Sequence, residues 1–278
     1  MSRNSRARGG TSRSRRGRRY RLPLPSARTR KRWWKFYKNA PRSARVAFGL
    51  AAVLTAWLTV NFVYQVVRKP SELFFPVSGT LYKTPAETWR AYAPIFRKHS
   101  TAVMTPSLLA ALAQVEGSGN PVVRTYWRWS FTHKPFEMYK PASSAVGMYQ
   151  ITDGTFAEAR RLCIHDHVVA EDGPWNAWRT CWFNALYSRV VPSHAVEMTS
   201  AYLDRSVTKI LRRGEVNVAL RQKQELAILI HLCGAGAGMD YARRGLKLIV
   251  GRRCGDHDVR AYVVKVTAMQ KLFAAYAK

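Results

Sequence analysis

One carboxylic acid, Glu116, stands where its chemistry would matter most. Residues 105–121 read as a helix, with Thr105 as its cap, Pro106 at the first position and an apolar face from Leu108, Leu109, Leu112 and Val115. Gly117, Gly119, Asn120 and Pro121 stop it. Glu116 therefore sits at the negative end of the helix dipole, beside Val115, where the charged form of a carboxyl is disfavoured. That makes it a candidate proton donor, although alone it also fits a plain solvated acid at a helix end.

Two further glycine-containing segments, residues 144–151 and 234–238, also lie at a helix end or a junction between helices, where backbone can approach a ligand closely. In the first, Gln150 carries an amide able to bind a sugar or to close a backbone turn, and Met148 and Tyr149 can pack or line a cleft. Tyr262 lies on an apolar helical stripe, from which its hydroxyl could reach another group. The aromatic, cationic stretch from Tyr126 through Trp127, Trp129 and Phe131 to Tyr139 reads as an ordered loop, its indoles suited to sugar stacking or to loop packing. His231, beside an apolar run, reads as a core histidine.

In their order along the chain, these segments resemble the lysozyme-like lytic transglycosylases, the soluble-lytic-transglycosylase family that cleaves peptidoglycan. Ala111-Leu112-Ala113-Gln114-Val115-Glu116-Gly117-Ser118-Gly119-Asn120-Pro121 is similar to that family's helix ending in Glu, Ser, two variable residues, Asn and Pro. Ala145-Val146-Gly147-Met148-Tyr149-Gln150-Ile151 resembles its Ala-x-Gly-Leu-Met-Gln-Ile motif, and Ala201-Tyr202-Leu203 resembles the Tyr-Leu of a later helix. Tyr262-Val263-Val264-Lys265-Val266 is similar to its terminal Tyr-Val-x-x-Val. The ordered set spans roughly residues 84–275 and is more specific than any one match. Gly117 stands where the family has Ser, with Ser118 one place on, and the family's Ala-Tyr-Asn-Ala-Gly falls on Leu232-Cys233-Gly234-Ala235-Gly236.

The resemblance implies an all-α, lysozyme-like domain with no metal and no other cofactor, working through one carboxyl. Glu116 would protonate the glycosidic oxygen between N-acetylmuramic acid and N-acetylglucosamine. As carboxylate it would then take the proton of the muramoyl C6 hydroxyl as that oxygen attacks C1, leaving an anhydromuramoyl end. The substrate-binding residues it implies are Ser118, Met148, Tyr149, Gln150 and Tyr262, with the Tyr262 hydroxyl reaching Glu116. A hydrolytic glycosidase needs a second carboxylate at a set separation. None stands in the matching motifs, and Asp153 and Glu137 are only nearby in sequence.

The elements that must position these groups read as helical. Thr84 and Glu87 form a capping box opening a helix through Trp89, Tyr92, Ile95 and Phe96. Thr152 or Asp153 caps a helix over 155–162, and further helices are expected around 178–190, 195–211 and 219–233, the last ending at the glycines of 234–238. Asp256 or Asp258 caps a final helix carrying Val259, Tyr262, Val263, Val266, Met269 and Phe273. No period-2 strand, hairpin turn or internal repeat stands out. Cys163, Cys181, Cys233 and Cys254 match no zinc or redox spacing. They read as two disulfides, the shorter loops favouring Cys163 with Cys181 and Cys233 with Cys254, or as four buried thiols.

Charge and hydropathy place this domain. Of the 278 residues, the first 45 hold seventeen Lys or Arg and no acid, leaving 29 basic and 16 acidic residues elsewhere. Residues 46–67 carry no charge and are long enough, at ~1.5 Å per residue, to span a bilayer's hydrocarbon core. Arginine runs alone would support weak, salt-sensitive binding to any polyanion. Beside a first membrane helix they instead hold that end in the cytoplasm, so a nucleic-acid partner is not favoured. The run is long for a cleaved signal and no small-x-small site follows it.

The expected organisation is a disordered basic cytoplasmic tail over 1–45, a transmembrane signal anchor over 46–67, a stalk over 68–83 and the helical domain over 84–278. In a bacterium this places a single-pass protein in the inner membrane with its C-terminal domain in the periplasm. Its expected partners are peptidoglycan glycan strands and proteins of the envelope machinery. A non-catalytic, glycan-binding scaffold of an envelope complex is the competing expectation, and a tail that anchors nucleic acid or anionic lipid is a third.

Overall fold

A computed structural model describes residues 26–174, 176–177, 180–212 and 218–278. The chain divides into two units, residues 1–59 and residues 60–278. The described residues are mostly helical.

The first unit holds helix α1 (Ala27–Asn39) and most of α2 (Arg42–Arg68). The Ser26 hydroxyl caps α1 by accepting from the Thr29 N–H at 3.2 Å. This part of the tail, expected to be disordered over 1–45, is thus helical where it is described; the expectation for 1–25 lies outside the described residues. In α2 the usual burial pattern is inverted. Its Val, Leu and Phe side chains are largely exposed, and its buried residues are Asn61 and Gln65. By length and composition α2 is a helix able to cross a membrane.

The second unit is built around α5 (Pro106–Gly117), in which Leu108 through Ala113 are fully buried. A helix apolar on every side has to be central, and each buried leucine contributes about 1.5–3 kcal/mol. Around it lie α4 (Pro85–Lys98), opened by the Thr84–Glu87 capping box, and α9 (Val259–Tyr276), capped by Asp258. Trp89 of α4 stacks on Phe96 of the same helix, centroids 6.3 Å apart, and meets Phe273 of α9 at 5.9 Å. The remaining helices are the short α3 (Phe75–Ser78), α6 (Asp153–Ala159), capped by Thr152, α7 (Pro192–Leu211) and α8 (Leu220–Arg243), the last two packed on each other.

Three expectations are corrected. The unit is not free of strands: it carries three antiparallel hairpins, β1–β2 (Trp127–Trp129, Tyr139–Pro141), β3–β4 (Leu162–His165, Val168–Glu171) and β5–β6 (Arg253–Cys254, His257–Asp258). Strands of two to four residues are too short to show alternation. The expected stalk over 68–83 is folded. A 3-10 turn at Pro70–Phe74 buries Glu72 completely, where it accepts from Arg124 Nη1 at 3.0 Å and from the Trp127 indole N–H at 2.8 Å. The Asn120 amide also donates to the Ser78 carbonyl at 2.6 Å. Where described, the helix expected around 178–190 is only a 3-10 turn, Trp182–Leu186. The helix over 219–233 does stop at Gly234, as expected, where the chain turns out of helical geometry at φ 82° and ψ 169°; a second helical segment then runs to Arg243, and the two together are α8.

Both disulfides follow the short-loop pairing. Cys163–Cys181 ties β3 to the turn before α7, and Cys233–Cys254 ties the kink of α8 to β5.

Candidate active site around Glu116

The C-terminal end of α5 delivers Glu116, and the first turn of α9 delivers Tyr262 to it. The Tyr262 hydroxyl donates to Glu116 Oε1. Burial, and then the nearby Glu116 carboxylate, push the Tyr262 phenol well above its ordinary range, so it stays a donor. From α8, His231 places Nε2 3.8 Å from the same Oε1. Burial lowers the affinity of His231 for a proton, against the pull of Glu116 in the other direction. A neutral imidazole therefore faces the acid.

Gly117, the departure next to Glu116, has a steric cause. A Cβ there would lie 2.8 Å from the Met148 Cα and 3.0 Å from its carbonyl oxygen. The turn carrying Met148 is pressed against the last turn of α5, leaving no room for a side chain at 117. Ser118 follows in the left-handed region (φ 47°), its N–H donating to Gln114 O at 3.0 Å and its carbonyl accepting from the Lys83 N–H at 2.8 Å. Its hydroxyl makes no hydrogen bond to Glu116. The orienting contact comes from Tyr262.

Met148 and Tyr149, expected to bind substrate, are fully buried. Both side chains belong to the core around α5, and the Tyr149 hydroxyl is spent on the Leu109 carbonyl at 3.1 Å. Their contribution is to press the turn against Gly117. Gln150 is partly accessible, but its amide donates to Gly147 O at 2.9 Å and Val123 O at 3.4 Å, closing the turn on itself. Arg189 holds the same loop from outside, with Nη1 donating to Ser144 O and Ile151 O, each at 2.9 Å, and pairing with Asp153 at 2.8 Å.

Beside this centre opens a cleft of about 200 Å³, lined by Gln150, Thr155, Thr199, Tyr202, His231 and Gly234 among others. His231 connects it to Glu116. Thr199 Oγ1 is buried and has no hydrogen-bond partner among the described residues. No carboxylate is among the described residues that line the cleft. Asp153 and Glu137 are engaged elsewhere, Asp153 by Arg189 and Glu137 by Lys134 and Lys140. Glu197 of α7 is committed to structure, accepting from the Tyr187 hydroxyl at 2.7 Å and the Ile164 N–H at 2.9 Å.

A wider groove of about 630 Å³ between α8 and α9, lined by Arg221, Glu225, Tyr241 and Lys271 among others, does not include Glu116. Its acid is already held by Arg221 and Tyr241. Among the described residues no cluster of three or more His, Cys, Asp or Glu could hold a metal. Trp127 and Trp129 lie outside the cleft. Trp127 packs between Phe62 and Tyr139, and Trp129 stacks on Tyr139 at 4.7 Å.

His231, Thr199 and Arg189 escape a reading of sequence alone. His231 carried one usable signal, its place one turn before a glycine that breaks a helix; the other two carried none. No protein-family model matches the chain, and no curated protein matches it.

Proposed function

We propose that the chain is a membrane-anchored lytic transglycosylase with a lysozyme-like domain, which cuts peptidoglycan glycan strands at the bond between N-acetylmuramic acid and N-acetylglucosamine. The observation that carries the reading is the Tyr262–Glu116 hydrogen bond, with His231 joining the acid to a cleft whose described lining holds no carboxylate. It joins the first and last of the resembling motifs in one place.

Because Tyr262 donates to Oε1, the proton of a neutral Glu116 resides on Oε2. From there it passes to the glycosidic oxygen as the bond from C1 breaks, and the leaving sugar departs as an alcohol. Glu116, now a carboxylate stabilised by the Tyr262 hydroxyl, removes the proton of the muramoyl C6 hydroxyl, and that oxygen closes on C1. The acid ends protonated, ready for another turn. No carboxylate stands among the described residues of the cleft lining to activate water, which favours ring closure over hydrolysis.

The topology follows from the tail and α2, with the basic end in the cytoplasm and the body in the periplasm of a bacterial inner membrane. Two disulfides in the body and none in the tail fit that assignment. The full-length protein in detergent, incubated with isolated sacculi, is expected to release anhydromuropeptides, and Glu116→Gln to release none. Equal release by both proteins, or none by either, rejects the enzyme and leaves the glycan-binding scaffold.

A further inference from the structure

The end of α2 is bound to the first hairpin by polar side chains spaced four residues apart. The Asn61 amide donates to Tyr139 O at 2.7 Å, Gln65 to Phe136 O at 2.6 Å, and the Lys69 ammonium, just past the helix, to Ser143 O at 3.0 Å. Between them Phe62 stacks on Trp127 and Tyr64 packs against Phe136. Asn61 precedes Val67, the last uncharged residue of the apolar run, by six positions, which is about 9 Å of helix. The hairpin is thus attached inside the stretch that is uncharged, not beyond it.

What the hairpin exposes is unusual for a water-facing loop. Phe131 at its tip is 102% exposed, Tyr126 73% and Trp129 60%. Arg128, His133 and Lys134 are exposed beside them, and Glu137 is the sole acid from 126 to 141. Aromatic rings flanked by cations are the composition that settles at the boundary between acyl chains and anionic headgroups. The neighbouring Phe62, Val63 and Val67 of α2 are exposed as well, so the apolar surface runs on from the helix to the hairpin.

We infer that the hairpin over residues 126–141 is a second membrane contact, seated in the interface of the outer-facing leaflet of the bilayer that α2 spans. The inference rests on α2 crossing the membrane and is independent of any activity at Glu116. The rings of Tyr126, Trp129 and Phe131 lie among the upper acyl chains and carbonyls of the lipid, and Arg128 pairs with a phosphate. The body is thereby held to the membrane at two points, the helix and the hairpin.

Depth-dependent quenching tests this. All four native cysteines are in disulfides, so single reactive cysteines can be added to the full chain. His133→Cys reports on the tip with every aromatic ring retained, Val53→Cys on the middle of α2 and Val168→Cys on the exposed turn of β3–β4. Each is labelled with an environment-sensitive fluorophore, in vesicles of phosphatidylethanolamine and phosphatidylglycerol. The probe at 133 is expected to lose fluorescence to a nitroxide placed high on the lipid chains and to be spared by aqueous iodide, whereas that at 168 shows the reverse. A probe at 133 as open to iodide as the one at 168, with 53 in the lipid, overturns the hairpin contact alone. Quenching at 53 by iodide overturns the span and the hairpin contact with it. A tip left in water that responds to added glycan assigns the rings to sugar and also overturns the proposal.

Discussion

Tyr262 and Glu116, 146 residues apart, share a hydrogen bond between the first turn of α9 and the last turn of α5. The contact orients the acid from one side and leaves Oε2 for a substrate. Tyr262→Phe removes the donor while keeping the ring in its buried place. A hydrogen bond to a charged group is worth about 1.5–3 kcal/mol, so kcat for muropeptide release is expected to fall roughly ten- to hundredfold. KM should change little, and the melting temperature should fall by a few degrees as the buried bond is lost. A Tyr262→Phe enzyme with unaltered kcat would mean that the contact does not serve catalysis.

Gly117→Ser restores the residue of the resembling family, and the structure predicts that it does harm. The added side chain meets the Met148 backbone, which cannot swing away as a side-chain end could. Overpacking of this kind costs about 1–3 kcal/mol. Denaturant unfolding should show that loss, together with reduced activity from a displaced Glu116.

Burial lowers the proton affinity of His99, His194 and His231, with Glu197 opposing the shift at the first two and Glu116 at the third. The unfolded chain therefore takes up protons first as pH falls. Stability from these residues is complete above the ordinary histidine value of about 6.5 and drains away as pH drops through it towards the lower folded values. The melting temperature should fall between about pH 7 and pH 5, and His231→Gln should flatten part of that slope. A profile unchanged by the substitution would place His231 outside the buried set.

Cys233–Cys254 fastens the kink after His231 to the hairpin that leads into Tyr262. Its loop of 21 residues corresponds to about 3 kcal/mol in the chain-entropy account. Replacing both cysteines by serine should lower stability by that order and reduce activity even below the melting transition, because both partners of Glu116 lose a common tie. Cys163–Cys181 lies away from the acid. Its removal should affect stability alone, as thermal melts and single-temperature assays can separate.

Glu72→Gln tests whether residues 68–83 belong to the fold. Glu72 has Lys69, Arg124 and the Trp127 indole around it and no exposure. Removing one partner of a buried ion pair typically costs about 3–5 kcal/mol. Chemical denaturation should show a loss of that size, whereas a free stalk would show none.

Much of this was legible in the residues. Thr105 and Pro106, the Thr84–Glu87 box and the periodic apolar positions marked α5, α4 and α9, because caps and 3.6-residue periods act locally. The pairing of Glu116 with Tyr262 entered only through motif order, since no local rule joins two helices so distant in the chain. That Met148 and Tyr149 pack into the core was not legible, because a motif does not reveal which of its side chains face inward. Glu72 and Arg189 act through partners far away in sequence, and Thr199 is placed by its burial beside the cleft; that information resides in packing. Gly234 signalled the stop that the structure shows, but not the second helical segment beyond it, which buries Gly238 and Tyr241.

The folded state of residues 68–83 also fixes a length. Sixteen extended residues would give the body a leash of roughly 55 Å. Folded against Arg124, Trp127 and Asn120, they give none. Under the proposed topology and function, a body without such a leash meets only the glycan strands that lie close to the membrane anchoring it.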